Sequence, residues 1–402
     1  MDSKKLNVAI VIGSDLFSGG GFQYEYSILC ALNKYHKQDD IILNFYCFNE
    51  LVKKDYESLN LDIKVIKENL FQRIHRYSLS SFFLRRLYKK FFIDICSVEA
   101  RLKKDRIDLI YFLSQSSISY ELNYIPYIFT LWDLGHLDIS EFPEVSHGGE
   151  FERREELYTK ALKKAFRVIV DLDYSKVMAF NKYNLDEKRI EVVRFIPNIR
   201  PLDEKSYVNI KEKYNLKNDY VFYPAQFWAH KNHMYILKAI KILKEEKKIK
   251  LDVVFSGSNK GNLDYILKTA KEFGISDLVH YIGFAPNAEI PYLYNQSVAL
   301  VMPTYLGPTN IPPLEAFTYG ASLCYSDTPF FREQVGDAAF LIDLKNPRSL
   351  VDNLIEITTQ EDIVKFKKEI GLKVLQDWSD VDVYKKINNI FNEYKYIREL
   401  WK

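Results

Sequence analysis

Residues 298–324 read VALVMPTYLGPTNIPPLEAFTYGASLC, and the alternation of apolar runs and chain breakers in this stretch decides the fold. The apolar run 298–302 breaks at Pro303 into a loop over 303–310 that holds Gly307-Pro308. Ile311, Pro312 and Pro313 then open a helix that stops at Gly320, and 321–325 is apolar again. Strand, loop, helix and strand make one βαβ unit of a parallel sheet. Proline fits the first turn of a helix, where amides have no intrahelical partner, and glycine fits just past its end. Amides near Thr309, Asn310 and Ile311 therefore sit at the positive end of the helix dipole, a ready place for phosphate. Glu315, one turn in, is negative and suits a different task, accepting hydrogen bonds from a ribose diol. The same residues also read as a plain capped helix whose Glu315 favours the dipole.

Outward from this stretch the rhythm repeats. Strands are expected over 220–225, 251–255, 278–282 and 339–342, with helices over 232–244 and 262–273 and a helical remainder from 346 to 402. Apolar spacing over 381–400 suits a long amphipathic helix. Before them, strands are expected over 6–12, 41–48, 62–66, 107–113, 127–131, 166–170 and 190–195, with helices over 22–33, 150–164 and 174–183. The polar, Lys/Glu-rich segment near 200–218 has the composition of a linker. The expectation is an α/β protein of two doubly wound, Rossmann-like domains, 1–200 and 201–378, facing a cleft.

A chain of 402 residues can build two separate cores. With 47% apolar and 27% charged residues it has the composition of an ordinary globular protein. A net charge of +2 argues against nucleic acid as partner, which needs a concentrated basic excess. The 29 tyrosines and 27 phenylalanines fall mostly in periodic apolar runs and are expected in the cores. Cys30, Cys47, Cys96 and Cys324 share no metal-ligand spacing and read as buried free thiols of a reducing compartment. The apolar stretch 6–12 is too short for a signal peptide, and no run of about 18 apolar residues occurs, so a cytoplasmic location is expected. Residues 69–93 hold no Asp or Glu while Arg and Lys interleave with Phe and Tyr. Such a stretch suits peripheral contact with an anionic membrane, here the inner face of the plasma membrane, and equally an ordinary surface helix.

Further candidates lie at strand ends. Gly13 and Gly19-Gly20-Gly21 frame the loop after the first strand, where backbone amides can approach a ligand or simply turn. The strand 127–131 delivers TLWDLGHLDISEFPEV at its carboxyl end, the edge where open parallel sheets place their chemistry. Asp171-Leu172-Asp173 is a short DxD that can hold a divalent ion, but no second acidic cluster supports it, so no metal site is assigned. Ser256-Gly257-Ser258 is a small-residue turn, and Gln226-Phe227-Trp228-Ala229-His230-Lys231-Asn232 brings a cation to a helix start.

PTYLGPTNIPPLEAFTYG resembles the signature loop of retaining GT-B glycosyltransferases of family four, glycosyl transferases group 1. In that family two glutamates flank seven residues before a Pro-Leu-Glu-Ala helix. Glu315 matches the second, which holds the donor's ribose, and Gly307 stands at the first. The family's arginine and lysine that grip the donor diphosphate correspond to Gln226 and Lys231. Its His-Asp pair corresponds to Trp132 and Asp133, with His136 a few residues on as a partial substitute for the imidazole. By the same resemblance Gly20 and Gly21 face donor phosphates and acceptor. Gly257, Ser258, Thr309, Asn310 and Ile311 line the donor site, and the turn at Phe284 packs on the nucleobase. The terminal helix, about 379–402, is expected to pack back on the first domain.

The resemblance implies a retaining transferase that moves a hexosyl unit from a nucleotide sugar to a hydroxyl of a growing surface glycan, free or lipid-linked. It implies neither a cofactor nor an obligatory metal, because Lys231 and helix amides can do an ion's electrostatic work. Two other readings share the fold: a catalytically silent subunit and a nucleotide-sugar epimerase. A metal-dependent transferase built on Asp171 and Asp173 is the weakest alternative.

Overall fold

The computed structural model describes residues 5–67, 96–197, 199, 202, 207–307 and 309–401. The basic aromatic stretch 69–93 lies outside them. The chain divides into two compact units, one made of Met1–Leu134, Phe151–Arg194 and Asp380–Lys402, the other of Gly135–Glu150 and Phe195–Ser379.

The first unit holds a seven-stranded sheet in the order β3-β2-β1-β4-β5-β6-β7. Its strands are β1 (Leu6–Val11), β2 (Ile41–Cys47), β3 (Ile63–Val65), β4 (Leu109–Phe112), β5 (Tyr127–Thr130), β6 (Arg167–Val170) and β7 (Ile190–Val192). The pairings are parallel, with Val8 opposite both Leu43 and Leu109. Burial on both faces explains why LIYF and YIFT are unbroken apolar runs rather than alternating ones. The helix Asp380–Arg398 closes this unit: Asp380 accepts from Lys34 and Tyr35 at 3.0 Å each, and the Tyr394 hydroxyl donates to the Asp108 carbonyl at 3.1 Å.

The second unit repeats the plan with six strands in the order β10-β9-β8-β11-β12-β13. They are β8 (Tyr220–Pro224), β9 (Asp252–Ser256), β10 (Val279–Tyr281), β11 (Ala299–Met302), β12 (Ser322–Ser326) and β13 (Phe340–Ile342). Its pairings are parallel too, Tyr220 opposite Asp252 and Ala299 opposite both Val221 and Ser322. The Pro-led helix runs Ile311–Tyr319 and stops at Gly320, whose φ of 76° is the left-handed conformation glycine adopts freely. The helical remainder expected from 346 onward resolves into three helices, Pro347–Thr359, Glu361–Gln376 and Asp380–Arg398.

Both cores are rich in tyrosine, and a buried phenol needs a partner. Tyr127 donates to the Ala161 carbonyl at 2.7 Å, Tyr220 to Leu293 at 2.9 Å, and Tyr24 meets Tyr111 at 3.1 Å. Cys47, Cys96 and Cys324 are buried free thiols, and Cys30 is half-buried. Among the described residues no helix is long and apolar enough to cross a membrane.

Candidate functional site

In an open parallel sheet, ligands gather beyond the carboxyl ends of the strands where the strand order reverses. In the second unit that point lies between β8 and β11. The loop after β8 carries Gln226 and Lys231, and the loop after β11 carries Thr309 and Asn310 and leads into the Pro-led helix that holds Glu315. Topology alone therefore brings these two segments together.

Lys231 sits on a short turn, Ala229–Lys231, ended by Asn232 at φ 55°. Its carbonyl accepts from Tyr223 at 2.8 Å, and its ammonium donates to the Asn310 side-chain oxygen at 3.2 Å. Gln226 turns its carboxamide oxygen to the Trp228 indole at 2.9 Å. The Phe227 amide donates to the Ser258 carbonyl at 3.0 Å, which seats this loop on the turn after β9. A Cβ on Gly257 would lie 2.3 Å from the Ala225 carbonyl oxygen, so only glycine allows the two backbones this approach. Gly257 also donates to the Gly283 carbonyl at 2.8 Å, linking the turn to Phe284, which is 52% exposed. The Ser258 hydroxyl and the Thr309 hydroxyl are both buried without a hydrogen-bond partner among the described residues. Two such hydroxyls, one just past β9 and one just before the Pro-led helix, are donors that a bound ligand would satisfy.

Asn310 precedes the Pro-led helix and is 8% exposed. Its side-chain nitrogen donates to the Gly307 carbonyl at 2.9 Å and to the Tyr325 hydroxyl at 2.8 Å. Its backbone N–H goes to the Gln334 side-chain oxygen at 3.3 Å. This corrects the sequence reading that left the Asn310 amide open for phosphate. The reason is a glutamine 24 residues further on that no local pattern announces. Gly307 has φ 96°, and a Cβ there would sit 3.1 Å from the Asn310 oxygen. Glu315, one turn into the helix, accepts from the Tyr294 hydroxyl at 2.7 Å. Burial, and next the Glu315 charge, push that phenol well above its ordinary pKa.

Residues 135–150 belong to the second unit although their chain neighbours on both sides lie in the first. Here His136 is fully buried in the helix Gly135–Asp138. On the following helix, Pro143–Ser146, Glu144 accepts from the His230 backbone N–H at 2.7 Å and pairs with its ring Nδ1. Phe142 packs against Tyr305 with ring centroids 5.2 Å apart. Burial raises the Glu144 pKa, but the His230 donors outweigh it and leave the carboxyl below its ordinary value. Glu144 thus braces the residue preceding Lys231. Sequence reasoning missed it because partners 86 residues apart share no periodic signal.

The remaining candidates lie in the first unit. Gly20 and Gly21 open the helix Gly20–Tyr35. A Cβ on Gly21 would meet the Trp132 ring at 2.7 Å, so the indole lies directly against the helix start. Asp133 accepts from Arg154 at 2.8 Å. Asp171 is buried and accepts from the Leu172 amide at 2.9 Å and the Ser175 hydroxyl at 2.5 Å, the bonding of a local turn. Among the described residues no three His, Cys, Asp or Glu side chains gather to hold a metal ion.

Comparison with known proteins adds a family match over part of the chain and a fold. Residues 208–371 match the family described as glycosyl transferases group 1. The chain is 24% identical over 211 residues to O-antigen chain mannosyltransferase B of Escherichia coli, a match covering 51% of this chain and 55% of that protein. It is 25% identical over 181 residues to O-antigen chain mannosyltransferase RfbU of Salmonella typhimurium, covering 44% and 47%. The match thus spans about half the length of these curated relatives. Among solved structures, Anabaena Alr3699/HepE in complex with UDP and glucose superposes with a TM-score of 0.72 at 14% identity, covering 96% of this chain and 99% of that one. The fold is GT-B, two Rossmann-like domains.

Proposed function

We propose that this chain is a retaining glycosyltransferase that moves a hexosyl unit from a nucleotide sugar to a hydroxyl of a growing surface glycan. One observation carries the reading: Lys231 reaches the start of the Pro-led helix at the strand-order reversal of the unit that matches group 1. As the glycosidic carbon leaves its phosphate oxygen, negative charge grows on the diphosphate. A fixed ammonium and a helix's positive end stabilise that charge more in the transition state than in the ground state. Glu315 would hold the ribose diol, and the Ser258 and Thr309 hydroxyls would donate to phosphate or sugar. The acceptor hydroxyl forms the new bond to the anomeric carbon, the bond to the phosphate oxygen breaks, and the departing phosphate takes the acceptor's proton. No metal is needed for these steps. The O-antigen transferases among the relatives support a polysaccharide acceptor. The basic aromatic stretch 69–93 supports action at the inner face of a membrane on a lipid-linked one.

A silent subunit is the second reading, favoured by Gln226 standing at the family's arginine with its carboxamide oxygen turned to Trp228. A thermal-shift screen against UDP, GDP, dTDP and CDP tests donor binding, because a bound ligand stabilises in proportion to its occupancy. Release of the preferred nucleoside diphosphate from its sugar donors then tests turnover. Binding without hydrolysis or transfer would select the silent subunit, and no binding would remove the transferase.

A further inference from the structure

We propose that Gln334 and Tyr325 are positioning residues that set the Lys231 ammonium for the donor diphosphate by locking the Asn310 carboxamide in one orientation. The inference rests on the donor site proposed above. Both side chains are buried, Gln334 at 1% exposure and Tyr325 at 0%. Neither belongs to the signature loop.

The hydrogen bonds fix the direction of every group. The Asn310 nitrogen faces the Gly307 carbonyl oxygen at 2.9 Å, which can only accept. The carboxamide oxygen therefore faces Lys231, which can only donate. The flipped amide would set oxygen against oxygen on one side and nitrogen against ammonium on the other. The Tyr325 hydroxyl accepts from Asn310 at 2.8 Å and so sends its own proton to the Gln334 oxygen at 3.0 Å. Gln334 then donates from its nitrogen to the Asn310 carbonyl at 2.5 Å, while its oxygen also takes the Asn310 N–H. The ring closes on Asn310, with each donor polarising the next.

Two consequences follow for the site. The cap residue's backbone amide is committed to Gln334, so that N–H is withdrawn from the phosphate and Lys231 carries more of the charge there. Gly307, whose backbone disfavours a side chain, leaves room for the Asn310 amide. A neutral oxygen, that of the Asn310 carboxamide, thus meets the cation at 3.2 Å. The ammonium is oriented there without being neutralised, which suits a site that has exchanged an arginine for Gln226.

The test uses the full chain and the nucleoside diphosphate chosen by the screen, paired with the monophosphate of the same base. Calorimetry on wild type, Tyr325→Phe and Lys231→Ala gives the ratio of the two affinities. Tyr325→Phe keeps the ring stacked on Phe331 at 4.2 Å and removes only the hydroxyl. The expected result is a loss of about fivefold in the diphosphate's advantage, with the monophosphate unchanged and Lys231→Ala losing more in the same direction. Equal weakening of both nucleotides would mark a merely structural hydroxyl and overturn the proposal, as would an unchanged ratio. Wild type that binds neither nucleotide overturns the donor site itself, a distinct failure. Should Tyr325→Phe not fold, Gln334→Met is read by the same ratio.

Discussion

The two units share one strand order and differ in the charge they place at its reversal. In the second, the loops beyond β8 and β11 present Lys231 and two orphaned hydroxyls. In the first, the loop beyond β1 is already occupied by an acid from its own chain. Glu25, fully buried, accepts from the Gly13 amide at 3.1 Å, from the Ser14 amide at 3.0 Å, and from the Tyr56 hydroxyl at 3.1 Å. In a nucleotide-binding α/β domain, amides at this place receive phosphate. Here they receive a carboxyl group. The comparison teaches that the topology offers the same anion site twice, and one internal glutamate fills it in the first unit.

The largest expected effect breaks the comparison on its cationic side. Lys231→Ala should raise the barrier by about 2–4 kcal/mol, the loss seen when one donor to a developing oxyanion is removed. Turnover at saturating donor would fall by about 30–1000-fold, with donor affinity changing less. Unchanged turnover would take Lys231 out of the mechanism.

On the acidic side the readout is stability. Burial, opposed by hydrogen bonds from Ser14, Tyr56 and Gly13, raises the Glu25 pKa from 4.5 to about 7. Below 4.5 the carboxyl is protonated whether the chain is folded or not, and above 7 it is ionised in both states. Between the two, the folded chain binds more protons, so stability falls as pH rises through this window. The shift corresponds to about 3 kcal/mol across the window. Glu25→Gln should flatten that part of the pH profile, read as urea midpoints at pH 4.5, 6 and 7.5 against wild type. A profile that keeps its slope would place the titration elsewhere.

Glu315→Gln is a smaller perturbation within the donor site. It keeps an oxygen for the Tyr294 hydroxyl but loses the charge that would strengthen bonds to a ribose diol. A loss of about 1–2 kcal/mol in binding the free nucleoside diphosphate is expected, measured by calorimetry. An unaffected affinity would leave Glu315 as a helix residue with a structural partner.

How far the sequence reveals this architecture depends on the range of the signal. Pro312, Pro313 and Gly320 mark both ends of a helix because capping chemistry is local, and the bounds Ile311–Tyr319 follow them. Unbroken apolar runs such as Leu109–Phe112 announce strands buried on both faces, and with them the parallel sheets. Gln334 gives no comparable signal, since a polar residue in the helix Pro329–Val335 reads as solvated until the strand order sets it under Asn310. Glu25 misleads in the same way, an acid on an amphipathic helix that proves fully buried. Residues 135–150 are hardest of all, because two helices of four residues each carry too little periodicity to be read.

That last segment supplies the finest test of the contrast between the units, because its acid responds to pH in the opposite sense. Glu144 has a side chain 6% exposed, and its donors hold its pKa below the ordinary 4.5. A carboxylate of this kind contributes stability that is present above 4.5 and lost as pH falls through its folded value. Glu144→Gln should therefore cost about 1 kcal/mol at pH 7, where one charge-assisted bond to His230 becomes a neutral one. The difference from wild type should shrink as pH falls below 4.5, whereas the Glu25→Gln difference changes between pH 4.5 and 7. Because His230 directly precedes Lys231, the variant should also lower turnover by a factor of about two to five, a displacement effect rather than a loss of charge. Equal melting points for wild type and Glu144→Gln at both pH 7 and pH 3.5 would mean that the histidine holds its place without the acid, and that backbone bonds such as that of the Tyr305 amide to the His230 carbonyl are enough to fix the loop before Lys231.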